Sequence, residues 1–211
     1  QQPERQKITI PKLYEMKANK EPVSWLTCYD YPTALLMDRA GVEMILVGDS
    51  LGMTMLGYPT TLPVTMDVMI TFTAAVCRAV KYAFVIGDMP YMSYQVSKEE
   101  AIRNAGRFMS ECGTDAVKLE GGVRMAPIVR AITDAGIPVM GHIGLTPQSY
   151  TQLGGYKAQG RDAETAKRLI ADAEALEEAG AFAILLECVP APVAKIIHER
   201  VKIPVYGLGS G

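Results

Sequence analysis

The sequence predicts an α/β fold of the (β/α)8 or TIM-barrel class. Three observations carry that prediction: seven apolar runs of strand length, helix-patterned segments between several of them, and a polar residue at the end of nearly every run. The runs are VSWLTCY, EMILVGD, YAFVIGD, DAVKLEG, IPVMGHIG, FAILLEC and IPVYGLG. Runs apolar on both faces that alternate with helices indicate a parallel sheet covered by helices. Seven strands also suit an open doubly wound sheet, but that arrangement concentrates its site at one switch point. Here Asp30, Asp49, Asp88, Glu120, His142 and Glu187 recur at successive strand ends, as they would around one shared mouth, so the barrel is favoured. With 211 residues against the roughly 250 of a full barrel, one domain over 1–211 is expected, C-terminally incomplete and lacking its last β/α unit. A chain that stopped at Gly211 is expected to leave an open barrel with exposed strand edges.

The elements follow in order. IPKLYEMKANK is a short amphipathic stretch, and VSWLTCY is the first strand. Helical spacing then appears in YPTALLMDRAG, SKEEAIRNAGRFMSECG, MAPIVRAITDAG, DAETAKRLIADAEALEEAG and APVAKIIHERV, several of which end on Gly as helix C-termini often do. Two connections exceed the usual length of about 2–6 residues: Leu51 to Met66 and Thr146 to Arg161. Both follow strand ends and are rich in Gly, Pro, Thr and Tyr, which suits lids or binding loops.

Composition narrows the function classes. A net charge of −2 gives no electrostatic reason to expect nucleic acid or an anionic membrane as partner, so a small-molecule substrate is expected. No run reaches the ~18 apolar residues of a membrane span, and QQPERQK lacks a signal-peptide core, so a cytoplasmic setting is expected. Cys28, Cys77, Cys112 and Cys188 are widely spaced, with no CxxC pair, and are read as buried reduced thiols.

Five features could carry chemistry. Val47-Gly48-Asp49-Ser50 and Ile86-Gly87-Asp88-Met89 repeat one pattern, an apolar strand ending in Gly and a carboxylate. Either Asp alone suits a helix or turn cap; two on neighbouring strands would bring hard oxygen donors together, as Mg²⁺ requires. In Lys118-Leu119-Glu120, strand alternation puts both charges on one face, either as a structural ion pair or as a substrate anchor beside a metal ligand. Glu187 ends an otherwise apolar strand, where desolvation would raise its pKa toward that of a useful base, although Pro190 nearby also suits a plain turn. His142 is one of two histidines and reads as a hydrogen-bonded structural residue in preference to an acid or base; His198 falls in a charged helix and should be exposed. The closing GLGSG is either a phosphate cradle or a tight turn.

Taken in order, TCYDYPTA, ILVGDSLGMTMLGYPTTLPVT, IGDMPYMSY, VKLEGG, GHIGLTPQS, GGYKAQGR, LLECVP and IPVYGLGSG resemble the ketopantoate hydroxymethyltransferase family, from about residue 8 to the end. The resemblance implies a Mg²⁺-dependent transfer of a one-carbon unit from 5,10-methylenetetrahydrofolate to 3-methyl-2-oxobutanoate, giving 2-dehydropantoate. It places metal ligands on Asp49 and Asp88, with Glu120 completing the site directly or through water. It places 2-oxo acid contacts on Asp49, Ser50, Asp88 and Lys118, the proton acceptor on Glu187, and His142 in the pocket. It also implies a homo-oligomer, commonly a decameric ring. Two departures are Cys28 and Ser210, each where the family more often has Ala, and neither is expected to touch the chemistry. The nearest rival, a lyase or mutase of the phosphoenolpyruvate/isocitrate lyase type, is disfavoured because a KRCGH-like loop motif is absent. A non-catalytic barrel is disfavoured because every acidic candidate is present.

Overall fold

A computed structural model of the chain describes residues 5–149, 151 and 159–210. All seven expected strands form: β1 (Trp25–Thr27), β2 (Met44–Val47), β3 (Phe84–Asp88), β4 (Ala116–Glu120), β5 (Val139–Gly144), β6 (Ala183–Glu187) and β7 (Val205–Leu208). They make one sheet in the order β1 to β7, and every neighbouring pair is parallel. A doubly wound sheet would reverse strand order at a switch point, and this one never does. Trp25 of β1 and Tyr206 of β7 meet edge to face at 5.8 Å, so the sheet curls until its first and last strands approach each other. This is barrel architecture one β/α unit short of eight. Leu26 and Leu208, on the strands that have one neighbour each, are 47% and 55% exposed.

The helices are α1 (Ile10–Ala18), α2 (Tyr31–Ala40), α3 (Leu51–Thr54), α4 (Met66–Ala79), α5 (Lys98–Arg107), α6 (Ala126–Asp134), α7 (Ala163–Glu178) and α8 (Ala191–Arg200). Thr9, Asp30, Thr65, Ser97 and Asp162 start α1, α2, α4, α5 and α7, each side chain accepting the N–H three residues on. Asp30, counted among the mouth residues from sequence, is therefore a helix cap. The connection from Leu51 to Met66 is partly helical, and residues 67–80, left without an element by the sequence reading, fall largely in α4. Its Met69, Ile70, Thr73 and Val76 are buried at helical spacing. The connection from Thr146 opens with a 3-10 turn at Pro147–Ser149; half of it, including most of GGYKAQGR, lies outside the described residues. No described helix is long and apolar enough to cross a membrane.

Strand alternation sorts the core into two compartments. Val85, Val117, Val139, Ile184 and Leu186 face outward and pack with the helices. Met44, Leu46, Phe84, Ile86, Ala116, Met140, Ala183 and Leu185 face inward, and Leu13 of α1 packs against them. Following the same parity up each strand leads from this apolar layer to Asp88, Lys118, Glu120, His142 and Glu187. Close packing demands glycine at two places that bear on the site. A β-carbon at Gly87, on the outward face, would lie 2.4 Å from the Phe108 ring. Gly144 ends β5 at φ +95°, and a β-carbon there would lie 2.3 Å from the Glu187 carbonyl oxygen. Gly144→Ala is expected to lower unfolding stability by at least ~2 kcal/mol, combining left-handed strain with a backbone clash, as a urea titration would show. An unchanged midpoint would mean that β6 can shift freely.

The thiol expectation needs one correction. The four cysteines are all free, but only Cys28 is buried; Cys77, Cys112 and Cys188 are partly exposed.

Candidate active site

Register brings the strand-end polar groups side by side. Asp88 lies opposite Lys118, Glu120 opposite His142, and Gly144 opposite Glu187, so one inward-facing polar layer crosses four adjacent strands. Asp49, two residues beyond β2, joins it through its backbone N–H, which donates to Asp88 Oδ2 at 2.9 Å.

Lys118 does not form the ion pair with Glu120 that alternation along β4 suggested. Its Nζ lies 2.8 Å from Asp88 Oδ1, across the β3–β4 pairing, with both side chains only 3% exposed. Burial disfavours the ammonium, yet the charges of Asp88, Glu120 and Asp49 outweigh it and raise its pKa. Nζ also lies 3.2 Å from His142 Nδ1. An ammonium has no lone pair to offer, so Nδ1 accepts and the imidazole proton sits on Nε2. Nε2 in turn lies 3.1 Å from Glu187 Oε2, an ion-pair-range contact, not a well-directed hydrogen bond. Burial and the Lys118 charge lower the His142 pKa, which favours this neutral form.

Glu187 is 16% exposed, less enclosed than Asp88, Lys118 and His142, and sits at the rim beside a buried imidazole. The next residue, Cys188, is held at φ +51°, unusual for a non-glycine residue. Its N–H donates to Leu208 O at 2.9 Å. Ser210 corrects another expectation. Its Oγ accepts from Val189 N at 2.9 Å and donates to Leu186 O at 3.1 Å, bracketing Glu187, so this departure touches the segment that carries the candidate base. The closing glycine turn is thus a strap across β6 and β7. Ser50 sits at the margin, its Oγ 2.7 Å from Tyr29 Oη. His198 is exposed on α8, as expected.

The acidic side of the layer is crowded with like charge. Burial, with the neighbouring Asp88 charge, pushes the Asp49 pKa up to about 7. Burial likewise raises Glu120 well above the usual carboxylate range; Lys118 opposes this while Asp49 and Asp88 reinforce it. Burial and neighbouring like charge disfavour the ionised forms of both carboxylates, a strain that a divalent cation would relieve. Asp88 Oδ1 has Lys118 beside it but receives no well-directed hydrogen bond, leaving coordinating capacity at that atom. Among the described residues, however, no three Asp, Glu, His or Cys side chains converge to hold a metal by themselves. Glu120 Oε2 is occupied, accepting from the Gln148 N–H at 3.0 Å. The arrangement therefore suits two direct carboxylates completed by water and substrate, a common pattern for Mg²⁺, with Glu120 at one remove.

Two buried residues that the sequence reading assigned no role, Gln148 and Tyr94, tie this side together. Gln148 Nε2 donates to Asp49 Oδ2 at 3.0 Å and its Oε1 accepts from Tyr94 Oη at 2.6 Å. The available signal was their presence in GHIGLTPQS and IGDMPYMSY; no local pattern indicated contacts across strands. A cavity of about 750 Å³ adjoins the layer, reaching it at Glu120 and Gln148 and lined further out by Arg124 and Arg168.

The chain matches the model of the family described as ketopantoate hydroxymethyltransferase over residues 7–211. It is 56% identical to a 3-methyl-2-oxobutanoate hydroxymethyltransferase of Syntrophomonas wolfei over 205 residues, 97% of this chain and 74% of that protein. It is 55% identical to the enzyme of the same name from Moorella thermoacetica over 208 residues, 99% of this chain and 77% of that one. Among solved structures, a 2,3-dimethylmalate lyase of the PEP mutase/isocitrate lyase superfamily superposes with TM-score 0.69 at 16% identity, covering 95% of this chain and 72% of the lyase. A phosphonopyruvate hydrolase complexed with oxalate and Mg²⁺ superposes with TM-score 0.66 at 13% identity, covering 96% and 81%. At such identities these two structures bear on the fold alone.

Proposed function

This chain belongs to the ketopantoate hydroxymethyltransferase family and is a one-carbon transferase. From that premise we propose that it converts 3-methyl-2-oxobutanoate, 5,10-methylenetetrahydrofolate and water into 2-dehydropantoate and tetrahydrofolate, with a divalent cation, Mg²⁺, at Asp49 and Asp88. The observation that carries this reading is the single inward-facing layer in which an acidic pair, a buried lysine and a histidine-linked glutamate share one mouth.

Asp49 and Asp88 would hold the cation, with Glu120 linked through water. When bound, it supplies Lewis-acid stabilisation of the enolate, worth several kcal/mol. Lys118 provides the positive charge that receives the substrate carboxylate, and its anchorage to Asp88 limits how far that carboxylate can turn. Ser50, at the rim beside Asp49, is assigned to the same 2-oxo acid. Glu187 removes the C3 proton, leaving the electron pair to delocalise onto the keto oxygen. His142 orients that carboxylate through Nε2 and stays neutral, so it does not compete for the proton. Carbon–carbon bond formation then joins C3 to the one-carbon unit. The neighbouring 750 Å³ cavity is far larger than a five-carbon acid needs, which supports placing the folate there. Residence in the cytoplasm and assembly into a decameric ring belong to the same proposal.

The direct test is an assay of 2-dehydropantoate formation from the two organic substrates with and without Mg²⁺. Absence of product with cation present would overturn the reading. A pH prediction also follows. Asp49 holds its proton to about pH 7 in the free protein, so cation binding must displace it. Affinity is therefore expected to fall as pH drops below about 7, by roughly tenfold per unit at most. Titrating Mn²⁺ at pH 6 and pH 8, with the free ion read by electron paramagnetic resonance, checks this. Equal affinities would remove Asp49 from the ligand set.

A further inference from the structure

We propose that Gln148 is a positioning residue of this site, holding two of its four carboxylates, Asp49 and Glu120, in fixed relation to each other; the inference rests on the cation-dependent reading above. Gln148 lies in the 3-10 turn Pro147–Ser149, after β5, and its side chain is buried. A primary amide offers two hydrogens and one oxygen with two lone pairs, and here all are engaged. Nε2 donates to Asp49 Oδ2 at 3.0 Å and to the Met89 carbonyl at 2.9 Å. Oε1 accepts from Tyr94 Oη at 2.6 Å and from Gln95 Nε2 at 3.4 Å. The amide can point only one way, because the Met89 carbonyl can only accept, which sets Nε2 on that side and turns Oε1 to Tyr94. The phenol proton is thereby spent on Gln148, which leaves Tyr94 Oη free to accept the Glu120 N–H at 3.2 Å. Meanwhile the backbone N–H of Gln148 donates to Glu120 Oε2 at 3.0 Å.

One residue thus joins the ends of β2, β3 and β4. Asp49 and Asp88 repel each other when ionised, so the orientation of the Asp49 carboxylate depends on an opposing donor. The Nε2 donor fixes Oδ2 and with it the orientation of the whole Asp49 carboxylate. Gln148 cannot itself serve as a ligand, since its amide oxygen is already taken by Tyr94. Its effect must pass through the carboxylates it holds, as outer-shell partners of metal ligands act.

The test compares wild type with Gln148→Leu, Gln148→Glu and Tyr94→Phe. Mn²⁺ is titrated alone into each protein with the free ion read by electron paramagnetic resonance, and melting is followed by circular dichroism. Gln148→Leu is expected to weaken Mn²⁺ binding by about 10–100-fold. Gln148→Glu, which sets a third acceptor against Asp49 and Met89, should weaken it at least as much. Tyr94→Phe should do so by a smaller factor in the same direction. Activity lost at low Mg²⁺ should return toward wild type at saturating Mg²⁺, with the KM for the 2-oxo acid then little changed. A residue that only supports the fold would lower the melting temperature and kcat with no shift in Mn²⁺ affinity. Wild-type affinity in the folded Gln148→Glu and Tyr94→Phe proteins would overturn the inference while leaving the proposed function standing. Wild-type protein that neither binds Mn²⁺ nor forms product would overturn both.

Discussion

Asp88→Ala is expected to cost about 3–5 kcal/mol of folding stability in addition to abolishing cation-dependent turnover. The reason is Lys118, whose ammonium is 2.8 Å from Asp88 and almost fully buried; removing the carboxylate strands that charge in the barrel interior. The substitution also deprives the Asp49 N–H of its acceptor at 2.9 Å. Urea unfolding of Asp88→Ala, of Lys118→Met and of the double variant separates the two losses. Lys118→Met removes the only cation that the layer holds among the described residues, yet Asp49 and Glu120 can take up protons, so it should destabilise less. The double variant should recover much of the stability lost in Asp88→Ala and none of the Mg²⁺-dependent activity. Equal unfolding midpoints for wild type and Asp88→Ala would show that the buried pair contributes nothing to the fold.

Glu187→Gln is expected to slow exchange of the substrate C3 proton with solvent by about 10²–10⁴-fold, the usual contribution of a positioned base. The amide keeps an oxygen facing His142 Nε2 and so preserves the contact at 3.1 Å, but it cannot accept the proton. Binding of the 2-oxo acid should be nearly unchanged, because its proposed contacts lie across the layer at Asp49, Ser50, Asp88 and Lys118. Proton NMR of 3-methyl-2-oxobutanoate in deuterated buffer, with no folate present, reads the step directly. Exchange at the wild-type rate would place the base elsewhere while leaving the cation site untouched.

Both predictions depend on distances that were not legible in the chain. The positions of Asp88, Lys118, Glu120, His142 and Glu187 at strand ends were legible, because side chains alternate with a period of two and the apolar runs mark where each strand stops. Their partners were not. Lys118 and Glu120 share a face of β4, yet the lysine pairs with Asp88, since the parallel register sets those two directly across from each other. Glu187 sits at the rim and is more exposed than the rest of the layer, a difference that strand composition does not show. Ser210 looked remote from the chemistry until the β6–β7 pairing brought its hydroxyl against both flanks of Glu187.

The sequence by itself determined the succession of strands, most of the helices, the inward parity of the charged residues and the family, because each is written in local periodicity or in short strings; α4 was not among them. Only the tertiary structure decided which charges pair, which proton His142 carries, and that Gln148 and Tyr94 belong to the site. The physical reason is separation: the Gln148 amide reaches an aspartate 99 residues away, and such a contact exists only after the sheet has curled to bring β2 and β5 to one mouth.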